Sequence, residues 1–135
     1  MTNTTVDFGI VTALKIERDA LLKRLDSYKE IKDENEPLPF YLGQIAIPGS
    51  TEYYTIVVCL LLDMGNNEAA VATTRLIQRW QPAHVLMVGI AGGIRGKVEL
   101  GDVVVARYSF YYEPAKLTSD GEQMRSEQFP VDRLL

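Results

Sequence analysis

Cysteine is nearly absent. The 135 residues contain one, Cys59, so no disulfide can close within the chain and no cysteine-built zinc site can form. Its setting, "YYTIVVCLLLDMG", is apolar and shows no neighbouring base, so a small buried hydrophobe is expected rather than a reactive thiol. Histidine is equally scarce. The one histidine, His84, precedes an apolar run and is expected to be structural or at the surface, which disfavours Ser-His-Asp catalysis and multi-histidine metal chemistry. Positive charge is not in excess either: 14 Lys and Arg stand against 18 Asp and Glu, a net charge of -4, and the basic residues are scattered. Nucleic acid and anionic membrane call for a basic patch or stripe, so neither is an expected partner, whereas small molecules or proteins fit. No apolar run approaches the ~18 residues of a membrane span. The opening "MTNTTVDFGIV" lacks the basic and long apolar regions of a secretory signal, so a cytoplasmic location is expected.

What is present is an ordinary globular mixture, 47% hydrophobic and 24% charged, without internal repeat or low-complexity tract, and residues 1–135 are expected to form a single, incomplete domain that is truncated at its polar tail. Residues 6 to 12 are apolar and β-branched and lead into "ALKIERDALLKRL", where Leu14, Leu21 and Leu25 recur at helical spacing. The charged, proline-containing "DSYKEIKDENEPLPF" reads as an exposed connection. "FYLGQIAI" and "YYTIVVCLLL" then read as an antiparallel hairpin turning through Pro48 and Gly49. Asn66 or Asn67 can cap a helix with Ala70, Thr73 or Thr74, Ile77 and Trp80 on one face, ending before Pro82. "HVLMVGI", apolar without alternation, is expected as a central strand covered on both faces, and "GDVVVARYSFYY" as a further strand. From Glu113 onward the chain is mostly polar. Strands alternating with helices imply an α/β domain of layered build with a largely parallel sheet.

The segment Leu86 to Ala106, "LMVGIAGGIRGKVELGDVVVA", leaves a strand through several glycines and returns to an apolar run. A P-loop is excluded, because Ala91 and Val98 stand where a glycine and a hydroxyl residue are required. Gly89, Gly92, Gly93 and Gly96 also miss the spacing of a dinucleotide fingerprint. Two readings stay open: a backbone cradle for a flat ligand at the carboxyl edge of the sheet, and a tight bend without a ligand.

Taken together and in order, "VDFGIVTALKIERDALLKRL", "DMGNNEAAVATTRLIQRWQPAHVLMVGIAGGI" and "LGDVVVA" resemble the nucleoside phosphorylase superfamily. Within it they are most similar to the methylthioadenosine/S-adenosylhomocysteine nucleosidases, over residues 6 to 112, the amino-terminal half of such a protein. The resemblance implies a three-layer α/β/α fold with a mixed, largely parallel sheet. It also implies cleavage of the bond between a purine and its ribose in a small-molecule nucleoside, without metal or cofactor. Glu17 of "TALKIE" falls on the family's water-activating glutamate, with Ala13 and Leu14 lining the pocket beside it. As a residue of a helix first turn, Glu17 would also favour the helix dipole without any catalytic role. Gly89, Ile90, Ala91, Gly92 and Gly93 match the segment that contacts base and sugar, with Ala91 and Gly92 expected to border the purine. Asp102 is expected to be structural.

Departures from the pattern matter equally. The positions that hold phosphate in the phosphorylase branches are Met87 and Ile90 here, and neither side chain donates to an anion, so water is favoured over phosphate as nucleophile. Ile90 also replaces the serine usual in the nucleosidases. The family's Asp that protonates the leaving base, and its ribose-binding Met-Glu pair, have no counterpart; Asp120 and Asp132 lack the surrounding strand pattern. Activity of this chain alone is therefore expected to be impaired, and a homodimer, or a fused or partner polypeptide supplying the carboxyl-terminal half, is expected. Phosphorolysis and a non-catalytic nucleoside-binding or signalling module are the alternatives. The aromatic run Tyr108, Phe110, Tyr111 and Tyr112 fits a core strand, an interface or a wall of the site.

Overall fold

The structure is a computed structural model that describes residues 5–33, 36–63, 65–111, 115–118, 121–124 and 127–130. Tyr112, Asp120 and Asp132 lie outside the described residues. The chain divides into two compact units, Met1–Ile90 and Ala91–Leu135.

The first unit is built on a five-stranded sheet of order β2-β3-β4-β1-β5. Its strands are β1 (Phe8–Thr12), β2 (Ser27–Asp33), β3 (Glu36–Ala46), β4 (Tyr53–Leu60) and β5 (His84–Met87), with helices α1 (Lys15–Leu22) and α2 (Asn66–Trp80). β4, β1 and β5 run parallel, while β2, β3 and β4 pair antiparallel, so the sheet is mixed. The period-2 alternation of strand side chains divides the core into two layers. On one face Val11, Phe40, Val57 and Cys59 pack with Ala72 and Leu76 of α2. On the other, Ile10, Tyr41, Ile56 and Val58 pack with Leu22 of α1 and Leu25 beyond it. Each leucine so buried stabilises the fold by about 1.5–3 kcal/mol relative to exposure. The buried Thr12 hydroxyl is satisfied by donating to the Cys59 carbonyl at 3.3 Å.

Several sequence expectations change here. The charged connection between the first helix and the hairpin contains β2 and the start of β3. As an end strand of the sheet, β2 is held by its backbone ladder to β3 while its side chains, Ile31 partly excepted, are exposed; hence its apolar alternation is missing. The ladder is irregular between Ile31 and Asp33, opposite the segment carrying Pro37 and Pro39, where prolines supply no N–H. In α2 the buried positions are Ala72 and Leu76, with Ala69 and Trp80 partly covered, whereas Ala70, Thr74 and Ile77 are exposed. The helix is thus rotated relative to the stripe read from its sequence. Its N-cap is Gly65 rather than an asparagine, and Gln81 closes it in the left-handed region at φ 45. β5 is short, lies at the end of the sheet order and is only half covered, contrary to the central placement expected of it.

The second unit holds β6 (Tyr108–Tyr111), β7 (Ala115–Thr118), β8 (Gly121–Met124) and β9 (Glu127–Pro130). β7 and β8 form one antiparallel pair, and β6 pairs antiparallel with β9. The polar tail thus carries strands, and of "GDVVVARYSFYY" only Tyr108–Tyr111 is strand. Val103, Val104 and Val105 are exposed and lie outside it.

Candidate active site

β1 and β5 are neighbours in parallel, with Val11 opposite Met87, so their carboxyl ends emerge side by side. The Val88 N–H donates to the Val11 carbonyl at 3.1 Å and prolongs this pairing to the threshold of the glycine segment. From β1 the chain turns through Ala13 and Leu14 directly into α1. Leu14 occupies the N-cap in extended conformation and has no side-chain oxygen with which to satisfy the first N–H groups. Glu17 supplies the acceptor. Its Oε2 receives the Leu14 N–H at 2.8 Å and the Ala13 N–H at 3.1 Å, the glutamate half of a capping box.

Its other oxygen reaches across to the next strand end. The Ile90 N–H donates to Glu17 Oε1 at 2.7 Å, joining residues 73 positions apart in the chain. This donor is the main reason that the Glu17 carboxyl lies below the ordinary carboxylate range; partial burial opposes it, and the Leu14 and Ala13 N–H groups add to it. Glu17 is thus a carboxylate at neutral pH. A carboxylate offers about four lone-pair sites; Oε2 already accepts two hydrogen bonds and Oε1 one, so the open site is on Oε1. The arrangement can hold one further donor, such as a water, next to an anchored negative charge.

Ala13, Leu14, Glu17, Gly89 and Ile90 therefore converge in the first unit. Ala13 is half-buried and Leu14 exposed, and the Ile90 side chain, 76% exposed, points no donor at the carboxylate. Ala91, Gly92 and Gly93 belong to the second unit, where the glycines have distinct local uses. A Cβ on Gly93 would come within 2.5 Å of Val98 Cγ2, whereas one on Gly92 would meet nothing within 4 Å among the described residues. Gly96 and Gly101 take positive φ of 81 and 98 in turns closed by Lys97 N–H to Ile94 and Asp102 N–H to Glu99. Asp102 Oδ2 also accepts the Glu99 N–H at 2.9 Å, which fastens this turn.

The remaining candidates serve the fold. His84 stacks on Phe8 with ring centroids 5.5 Å apart, and Phe8 meets Tyr54 edge-on. Cys59 is buried, and that burial pushes its thiol up to about 12, with the Glu36 charge adding. Sequence reading had not singled out the Ile90 amide as a partner of Glu17. The sequence offers a glycine-flanked strand end at the carboxyl edge of the sheet, but the partner is a backbone atom that no residue type announces.

A model of the phosphorylase superfamily matches residues 7–133. The chain is 32% identical over 117 residues to the ATP nucleosidase Cap17 of Escherichia coli strain KTE188, covering 84% of this chain and 22% of that protein. It is 29% identical over 131 residues to the 5'-methylthioadenosine/S-adenosylhomocysteine nucleosidase of Maridesulfovibrio salexigens, covering 94% of this chain and 53% of that one. The crystal structure of the corresponding nucleosidase of Colwellia psychrerythraea in complex with adenine superposes with a TM-score of 0.64 at 27% identity, over 82% of this chain and 42% of that one. The chain thus spans about half the length of the methylthioadenosine/S-adenosylhomocysteine nucleosidases it matches, and less of the ATP nucleosidase. With a mixed sheet flanked by helices and a family match over nearly its whole length, the chain belongs to the phosphorylase superfamily.

Proposed function

We propose that this chain carries the water-activating half of an N-glycosidase that releases adenine from a nucleoside or nucleotide. The observation that carries the reading is the Glu17 carboxylate, anchored by three backbone N–H groups at the carboxyl ends of β1 and β5 with one acceptor site open on Oε1. Loss of a purine from ribose passes through an oxocarbenium-like state, much as in glycoside hydrolysis. A fixed anion stabilises that developing positive charge without reorganising. Water attacking so electrophilic a carbon needs orientation more than a strong base, so a carboxyl held below its ordinary range suits the step. Glu17 accepts the water's proton as the new C–O bond forms. The proton for the departing purine is assigned to a group outside residues 1–135, on further polypeptide in the same protein or on a partner.

Support for adenine as the base comes from the relatives, which are named as nucleosidases of methylthioadenosine and S-adenosylhomocysteine or of ATP. The apolar side chains of Met87 and Ile90 support water rather than phosphate as nucleophile. The test is adenine release from methylthioadenosine, S-adenosylhomocysteine and ATP, with and without phosphate, by the protein together with the polypeptide that supplies the purine's proton, and by the same assembly carrying Glu17→Gln. Phosphate-independent release that falls about 10²–10⁴-fold on substitution is expected. Release only with phosphate would establish phosphorolysis instead, and saturable adenine binding without release from any substrate would establish a binding module.

A further inference from the structure

Gly89 lies where the glycine segment passes the Glu17 carboxylate, and a Cβ there would crowd that carboxylate. A Cβ there would stand 2.6 Å from Glu17 Oε1, 3.0 Å from Cδ and 3.1 Å from Oε2. The end of a glutamate can usually swing aside, but this one is tied by the Ala13, Leu14 and Ile90 N–H groups, and yielding to a methyl group would break at least one of those bonds. The atom most crowded would be Oε1, which receives Ile90 and carries the open acceptor site. The backbone of Gly89 itself is not in the left-handed region, so conformational freedom does not account for the glycine.

We propose that Gly89 is a positioning residue for Glu17: by lacking a Cβ it lets the carboxylate dock on the Ile90 N–H and keeps the free face of Oε1 open for the attacking water. This role deepens the nucleosidase reading and rests on it. It also differs from a direct contact between Gly89 and the purine, because the glycine acts through the carboxylate. Among the described residues, the forces on that carboxylate come from backbone N–H groups and burial and from no charged side chain, so its titration reports the docking itself.

The experiment follows the Glu17 side-chain carboxyl by ¹³C NMR and the Ile90 amide by ¹H–¹⁵N NMR across an acid titration, for the protein, Gly89→Ala and Glu17→Gln. In the protein, the Ile90 amide should titrate with the Glu17 carboxyl, and Glu17→Gln should abolish that response. Gly89→Ala should raise the carboxyl midpoint toward the ordinary range, uncouple the Ile90 amide, and lower adenine release about 10²-fold, as a small displacement of a reacting group does. Should Gly89→Ala fail to fold, the double variant with Glu17→Asp, whose shorter side chain withdraws from the methyl group, should recover a dispersed spectrum. An unchanged carboxyl midpoint and coupled Ile90 amide in Gly89→Ala overturn the proposal whatever happens to activity, as does a double variant no better folded than the single. Shifted titration in a protein whose wild-type form releases no base even with the polypeptide that supplies the purine's proton upholds the positioning role and overturns the nucleosidase reading.

Discussion

Gly9 offers a sharp test of how the layers that position Glu17 are packed. It sits in β1, one strand position before the buried Ile10, and a Cβ there would fall on Leu76 Cδ2 of α2 and within 2.9 Å of Pro82 Cγ. Leu76 is fully buried and Pro82 is a rigid ring, so neither neighbour yields freely. Overpacking of this kind costs about 1–3 kcal/mol. Replacing glycine in a strand interior recovers roughly 0.5–1 kcal/mol of chain entropy, so Gly9→Ala should destabilise by about 1–2 kcal/mol. Leu76→Ala alone should cost about 2–5 kcal/mol. The double variant should cost at least ~1 kcal/mol less than the sum, because the new methyl group enters space that Leu76 vacates; contacting sites depart from additivity by this order. Urea unfolding read by Trp80, the sole tryptophan and a neighbour of Phe40 in the same layer, is the assay. With m of about 1–3 kcal/mol/M, the Gly9→Ala midpoint should fall by about 0.3–2 M. Additivity of the two substitutions, or a Gly9→Ala protein as stable as the wild type, refutes the packing argument.

Three further outcomes are expected. Since backbone donors hold the folded Glu17 carboxyl below its ordinary value, ionised Glu17 stabilises the fold above the unfolded carboxyl's pKa of about 4.3. That contribution is lost as pH falls through the lowered folded value, so the Tm gap to Glu17→Gln should be level near neutrality and close in acid; a gap that widens in acid would contradict it. Cys59, buried and with its thiol pushed up to about 12, should react with a thiolate-directed disulfide reagent at pH 8 only as the protein unfolds, and labelling at a free thiol's rate would show the core is open. Arg79 holds Asp33 at 2.7 Å and lies over the Phe40 and Trp80 rings at 5.8 and 5.7 Å, so Arg79→Ala should cost about 1 kcal/mol. Only part of that loss should be reproduced by high salt in the wild type, because the ring contacts are less screened; complete reproduction would assign it all to the ion pair.

How much of this was legible beforehand follows from which interactions are local. β1 and α1 announce themselves through β-branched residues followed by leucines at helical spacing, and the β3–β4 hairpin through two apolar runs around Pro48 and Gly49. β2 was hidden because an end strand needs no buried alternate residues, only a ladder. The face of α2 was misread because several candidate stripes, of alanine, threonine and isoleucine, differ by about one residue, and the sheet's shape selects among them. At the site, the type and place of Glu17 were readable, but its docking on Ile90 depends on β1 and β5 being neighbours. That adjacency is a property of topology, and the donor is main chain.

The two rims of the sheet differ in chemistry. β2 displays Lys29, Glu30, Lys32 and Asp33, all exposed, whereas the β5 rim carries Val85 and Met87, 37% and 70% exposed. Charged edge strands resist the backbone pairing that turns sheets into fibres. Head-to-tail growth of such a sheet would join a β2 rim to a β5 rim each time, and the ionic rim of β2 discourages every such junction, so this fold carries its own brake on amyloid-like stacking.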